Sequence, residues 1–308
     1  MKISFASISQ MTENEARQFL EGLRWPNGAM CPHCGHDVAH KIVGLVGSKK
    51  PARPGLYACQ NCRKQFTVTV GTIFESTRIP LRKWVMAFYL MNTSKKGISS
   101  HQLHRMLGIS YKSAWFMSHR IRESMRKEPV ETLLRGVVEA DETYIGGRET
   151  NKHLSKRQKG KQGGAGKAIV FALVERGGEI RAQKVDNVSA ASLPAIIHRH
   201  VDRDAHMMTD NFSSYARLNE HVLFHDTVDH GRNEYVRGNV HTNTLEGWFS
   251  LLKRGINGTF HHVSEKHLDR YIAEFVHRYN WREMDDVQRT VKSILGAEGK
   301  RLYYKKPA

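Results

Sequence analysis

The chain has 308 residues, with 48 Lys and Arg against 30 Asp and Glu, for a formal charge of +18. A 40% hydrophobic and 9% aromatic composition excludes wholesale disorder. No apolar run reaches the length of a membrane span and no export signal opens the chain, so the charge points first to nucleic acid and a cytoplasmic protein is expected.

Thr12 followed by Glu15 reads as a capping box before a short helix carrying Phe19, Leu20 and Leu23, ended by the WPNG stretch at 25–28. All four cysteines follow, as two CxxC pairs, Cys31 with Cys34 and Cys59 with Cys62. Each pair offers two thiolates from one tight turn. Two pairs at this spacing, without an export signal, predict a tetrahedral structural Zn²⁺ site rather than disulfides. Residues 41–57 read as a long hairpin and 66–70 as a strand leaving the second pair, which makes a zinc ribbon over residues 1–72.

Residues 73–127 read as helical. An amphipathic helix at 81–92 is followed by a helix at 99–107, a glycine turn at 108–110 and a second helix at 111–122. That is helix-turn-helix spacing, and in this basic chain it predicts DNA binding, with Lys112, Arg120 and Arg122 on the second helix.

Residues 128–283 change character. After a connector at 127–134, residues 136–145 form a strand on which Glu139, Asp141 and Thr143 alternate with Val138, Ala140 and Glu142. The segment 151–167 has six Lys or Arg, four Gly and no acid. It reads as a basic loop that offers Lys156, Arg157, Lys159 and Lys161 to phosphates. Strands at 168–174 and 180–185 flank a turn at 176–179. A helix at 189–201, a strand ending at Asp210, a short helix at 213–218 and a weak strand at 223–228 complete the order. Read as a helix, residues 241–254 put Leu245, Trp248, Phe249 and Leu252 on one face and Asn243, Glu246, Ser250 and Lys253 on the other, with Arg254 beside them. A helix at 264–280 follows. Residues 284–308 read as a last helix and a loose basic tail.

Asp141, Asp210 and Glu246, far apart in sequence, can converge at one sheet edge in this order of elements. Clustered carboxylates favour a hard cation, Mg²⁺ or Mn²⁺, and a pair of such ions supports phosphodiester chemistry.

The element order resembles the RNase H-like α/β fold of DDE transposases and retroviral integrases. The whole chain resembles bacterial insertion-sequence transposases that carry an N-terminal zinc ribbon. The likeness runs from about residue 12 to 282 and rests on FLEGLRWPNG at 19–28, the two cysteine pairs, EADETYIGG at 139–147, TDNFSSY at 209–215 and HTNTLEGWFSLLKRG at 241–255. It implies a multidomain α+β protein that binds double-stranded element ends and catalyses cleavage and strand transfer, working as a homodimer or larger assembly. The first two catalytic acids carry over onto Asp141 and Asp210. The third position is open between Asn243, since this group often has Asn there, and Glu246, which stands seven residues before Lys253. Cation chemistry favours Glu246. A transposase-derived DNA-binding regulator and an RNase H-like nuclease remain alternatives.

Overall fold

The structure, a computed structural model, describes residues 4–43, 52–126, 132–147, 153–156, 166–216 and 218–304. The chain forms two compact units: Met1–Arg126 together with Glu283–Ala308, and Lys127–Arg282.

In the first unit, helices α1 (Phe5–Gln10) and α2 (Glu13–Arg24) precede the ribbon. The capping box forms as predicted: Thr12 Oγ1 accepts the Glu15 N–H at 3.2 Å, and Glu15 accepts the Thr12 N–H at 2.8 Å. Strands β1 (Ala39–Lys41), β2 (Tyr57–Cys59) and β3 (Gln65–Phe66) form an antiparallel sheet in that order. The strand predicted over 66–70 stops at Phe66. Beyond it the Val70 N–H bonds Thr67 O, and Thr72 Oγ1 donates to Thr69 O at 2.7 Å. Such local threonine bonds compete with a sheet ladder.

Helix α3 (Leu81–Thr93) is followed by α4 (Ser100–Leu107) and α5 (Tyr111–Ser124). Ser99 and Ser110 cap α4 and α5 through the N–H groups of Gln102 and Ser113. Between them Gly108 takes φ +57°, the left-handed conformation that ends a helix at no Cβ penalty. Helix α9 (Asp286–Leu295) returns to this unit and packs on α3 and α5, where buried Asn92 Nδ2 donates to buried Ser293 Oγ at 2.8 Å. One core, including Leu20, Trp25, Phe66, Trp84, Met117 and Ile294, runs across the sequence boundary expected at 72 and takes in the C-terminal helix. The tail is tied down as far as it is described: Arg301 pairs with Glu75 at 2.7 Å, and the Tyr304 ring meets Phe116 edge-on.

The second unit is a five-stranded sheet flanked by helices. Its strands are β4 (Val137–Ile145), β5 (Ala168–Glu175), β6 (Ile180–Val185), β7 (His206–Asp210) and β8 (Phe224–Val228), in the order β6-β5-β4-β7-β8. The β6-β5-β4 strands are antiparallel, whereas β7 runs parallel to β4 and β8 parallel to β7. Helix α6 (Ser192–His200) covers one face, where Leu193 and Ile197 meet Val138, Ala140, Phe171 and Leu173. Helices α7 (Asn243–Gly255) and α8 (Leu268–Asn280) cover the other, where Leu245, Trp248, Leu252, Ile272 and Phe275 meet Val170, Ala172 and Val174. With both faces covered, β5 reads as an unbroken apolar run while β4 alternates. The predicted helix at 213–218 is two short 3-10 turns, Ser213–Tyr215 and Leu218–Glu220.

Candidate metal centre and carboxylate site

The ribbon brings its four cysteines together. Gly35 N–H bonds Cys31 O and Arg63 N–H bonds Cys59 O, so each CxxC closes in a tight turn, with left-handed φ at Gly35 and Arg63. The Sγ atoms all lie within 4.8 Å of one another, with Cys31 to Cys62 at 3.7 Å and Cys34 to Cys59 at 3.6 Å. A tetrahedral zinc with Zn–S of about 2.3 Å needs sulfurs about 3.8 Å apart, so the donor set fits. All four cysteines are free of disulfides. The backbone N–H of His36 lowers the Cys34 thiol, whereas Cys62 is raised by burial and its three sulfur neighbours, as expected where one thiolate is shared among clustered thiols. The nearby histidines are engaged elsewhere, His36 Nδ1 accepting the Val38 N–H and His33 Nε2 lying 3.4 Å from Gln65 O.

The carboxylates are brought together by sheet register. β4 and β7 pair in parallel from Val137↔His206 to Glu139↔Met208. Continued two residues further, that register sets Asp141 level with Asp210, on neighbouring strands about 4.8 Å apart where ladder pairing ends. Asp141 shares a strand face with Glu139. Glu142, on the opposite face, accepts the Tyr215 hydroxyl at 2.8 Å.

Electrostatics mark the cluster. Burial, then the charge of Glu142, and also Asp210 and Glu246, push the Asp141 carboxyl up to about 8. Burial likewise raises Asp210, opposed by the Phe212 N–H and the nearby His230, and raises Glu142 against the bond from Tyr215. Desolvated acids that repel one another ionise together only when positive charge joins them. Among the described residues, only the four cysteines form a metal-ligand group as tight as 4.8 Å. The carboxylates converge less closely, and their all-oxygen chemistry fits a hard cation.

Helix α7 buries Leu245, Trp248, Phe249 and Leu252 and exposes Asn243, Glu246, Ser250 and Lys253, the two faces read from the sequence. Glu246 Oε1 lies 3.8 Å from His230 Nε2, and the His230 ring packs on Tyr235. Arg254 is exposed, with Nε donating to Ser250 O.

Two predicted DNA contacts are corrected. Arg120 is 5% exposed and Arg122 1%. Arg120 donates to Glu75 O at 2.7 Å and lies over the Trp84 and Phe116 rings, and Arg122 Nη1 donates to Ser118 Oγ. From Met117 to Arg122 every residue of α5 is buried, so the two opposite sides that carry these arginines both pack inward, and a guanidinium on a long stem is accommodated there by a carbonyl, a hydroxyl and rings. Lys112 stays exposed, its Nζ 4.8 Å from the Tyr304 ring centroid. Lys156 falls in a 3-10 turn, Leu154–Lys156, whereas Arg157, Lys159 and Lys161 lie outside the described residues.

The sequence offers Glu139 only as a possible substitute for the catalytic acid on β4, and the structure gives it other partners. Glu139 is fully buried and accepts from Arg176 Nε at 2.7 Å, Thr244 Oγ1 at 2.8 Å and the Leu245 N–H at 3.1 Å. Arg176 also donates to Asn239 O, His241 O and His241 Nδ1. The available signal was the period-two relation of Glu139 to Asp141.

A sheet of this order, with acids converging beside a polar helix face and with a separate four-sulfur ribbon, has the parts of a transposase, and the comparisons agree. Residues 133–280 match the ISXO2-like transposase domain, and residues 11–65 match the transposase zinc-ribbon domain. A relative described as an uncharacterized protein in transposable element ISH50 of Halobacterium salinarum is 30% identical over 279 residues, covering 86% of this chain and 90% of its own length. The chain belongs to the ISXO2-like transposases of insertion elements. Among solved structures it is distantly similar to the Mos1 strand transfer complex, with 14% identity and a TM-score of 0.30 over 67% of this chain and 74% of that one. It is similar at the same level to a simian T-cell lymphotropic virus intasome in complex with a PP2A regulatory subunit, with 13% identity and a TM-score of 0.28 over 57% and 63%.

Proposed function

We propose that this chain cleaves DNA at insertion-element ends and joins those ends to target DNA by metal-dependent phosphoryl transfer. The observation that carries the reading is the parallel β4–β7 register, which continued two residues sets Asp141 level with Asp210, beside the exposed polar face of α7. Mg²⁺ or Mn²⁺, when bound, would activate a water or 3′-hydroxyl and stabilise the leaving oxygen. Asp141 and Asp210 would hold the cations. Glu246 is favoured as the third ligand because its carboxylate offsets cation charge, and Asn243 is the competing assignment on the same face. Lys253 would offset phosphate charge without ligating.

The four-sulfur ribbon would carry Zn²⁺ as a structural element. Double-stranded DNA is the proposed partner. Residues up to about 127, Lys112 among them, would recognise element ends, while Arg254 and the basic residues Lys156, Arg157, Lys159 and Lys161 would meet phosphates without sequence preference. Joining two ends calls for at least two copies of the chain. Among the described residues no helix is long and apolar enough to cross a membrane.

The test is nicking and joining of labelled end DNA by the full chain. The expected result is product with Mg²⁺ or Mn²⁺ and none with EDTA. End-specific binding without any nicking supports a DNA-binding regulator instead, and nicking indifferent to end sequence supports a nuclease.

A further inference from the structure

Helix α7 carries the third catalytic position under either assignment, yet the residue at its capping position supplies no side-chain acceptor. The leading N–H groups of a helix need acceptors, and the residue before the first turn normally supplies one. Thr242 stands there and makes no side-chain bond to the turn. His241 Nδ1 accepts the Asn243 N–H at 3.4 Å, and the closer acceptor for the first turn comes from the sheet. Glu139, on β4, takes the Leu245 N–H with one oxygen and the Thr244 hydroxyl with the other.

This arrangement buries a full carboxylate, which a fold tolerates only when the charge is paired and hydrogen-bonded. Arg176 supplies the pairing through Nε and spends its other nitrogens on Asn239 O, His241 O and His241 Nδ1, which belong to the segment entering the helix. Arginine only donates, so His241 Nδ1 is the acceptor. A local Ser would cap the helix with no buried charge at all, and buried ion pairs rarely add net stability. What the pair does provide is register.

Asp141 lies two residues beyond Glu139 on the same strand face, about 6.6 Å along an extended strand. Asn243 and Glu246 lie within one turn of the Leu245 N–H that Glu139 holds. One side chain therefore sets both the height and the rotation of α7 against the strand bearing Asp141.

We propose that Glu139 and Arg176 are positioning residues, a buried ion pair that caps α7 from across the sheet and holds its polar face in register with Asp141. Neither touches DNA or metal. For its effect on rate the inference rests on the proposed cleavage activity; for the cap itself it does not.

The test uses the full chain with Arg176→Ala, Glu139→Gln and Thr244→Val. Amide exchange across residues 243–247 is measured without DNA, and single-turnover cleavage is measured at saturating end DNA with Mg²⁺. In Arg176→Ala, exchange in that turn should accelerate at least about tenfold and cleavage should slow about 100-fold, the order expected from ångström-scale misplacement. End-DNA affinity should stay within about twofold, since phosphate and end contacts lie elsewhere. Millimolar guanidinium should restore much of the Arg176→Ala rate and none of the Asp141→Asn rate, which separates positioning from a general loss of fold. Glu139→Gln should act in the same direction. Thr244→Val, which keeps the ion pair and the fold, should slow cleavage by roughly three- to tenfold through the lost hydroxyl donor. A folded Arg176→Ala protein that cleaves at the wild-type rate overturns the proposal, as does failure of guanidinium to rescue it. If the wild-type chain cleaves nothing, the reading of the site fails, and unchanged exchange over 243–247 in Arg176→Ala would then overturn the cap independently.

Discussion

The chain gathers four sulfurs in one place and a set of carboxylates in another, and it assembles them in opposite ways. In the ribbon, two tight turns hold each CxxC closed, and the sulfurs already stand 3.6 and 3.7 Å apart across the site. In the sheet, Asp141 and Asp210 meet only because β7 pairs in parallel with β4 at one register, and Glu246 arrives on a helix that follows β8. The first site is closed, with four thiolates that fill a tetrahedral shell. The second is open, and its acids carry pKa values raised first by burial and, for Asp141 and Glu142, also by neighbouring carboxylate charges. A closed sulfur site stabilises a fold, and an open oxygen site leaves room for a substrate.

The largest effect should come from breaking the closed site. Cys59→Ser should abolish stoichiometric zinc in metal analysis. Because Cys31 and Cys59 are buried in the same core as Trp25, Phe66 and Trp84, the loss should lower the melting of the whole first unit, with end binding falling in parallel. Calorimetry that finds the first unit unchanged would show that the core does not depend on the metal.

The open site is sharpened by comparing its two contested residues. With Glu246 as ligand, Glu246→Gln should slow cleavage on the order of 10²-fold and Asn243→Ala should do less. The reverse order in single-turnover assays assigns the role to Asn243.

A smaller effect concerns pH. The Asp141 carboxyl is raised from 3.8 to about 8, so the folded metal-free chain holds this proton more tightly than the unfolded chain. Its contribution to stability is complete below about pH 4 and is lost as pH rises through 8. Asp141→Asn should flatten that fall in thermal melts without metal. Mg²⁺ must displace the proton, so its affinity for the wild type should rise with pH across the same window.

The smallest effect separates the buried arginine of α5 from the exposed lysine. Arg120→Ala should lower stability by about 1–3 kcal/mol, through a lost carbonyl bond and two ring contacts, with end discrimination unchanged in the folded protein. Lys112→Ala should leave melting unchanged and flatten the salt dependence of DNA binding.

The same contrast explains what was legible. Ligand type and spacing made the sulfur site readable, because a CxxC closes within its own turn. The faces of α7 were readable from a period of 3.6, and the glycine turn between α4 and α5 from a single Gly. Asp141 and Asp210 could be named, yet their meeting depends on a parallel register that no local pattern encodes. Arg120 and Arg122 looked like surface cations because charge alone does not reveal that α5 is buried on all sides from Met117 to Arg122. Glu139 was hidden for a related reason. Its partners Arg176 and Thr244 come from other elements, so its role exists only once β4, the turn after β5 and α7 are assembled.

The central claim is that Asp141 and Asp210 form a cation-dependent site for DNA cleavage. It is tested most directly by single-turnover nicking of labelled end DNA, comparing wild type with Asp141→Asn at equal end occupancy. The account predicts Mg²⁺-dependent nicking by the wild type and a rate at least about 100-fold lower in the variant, with binding retained. Equal rates in the two proteins, or wild-type nicking undiminished by EDTA, would contradict it.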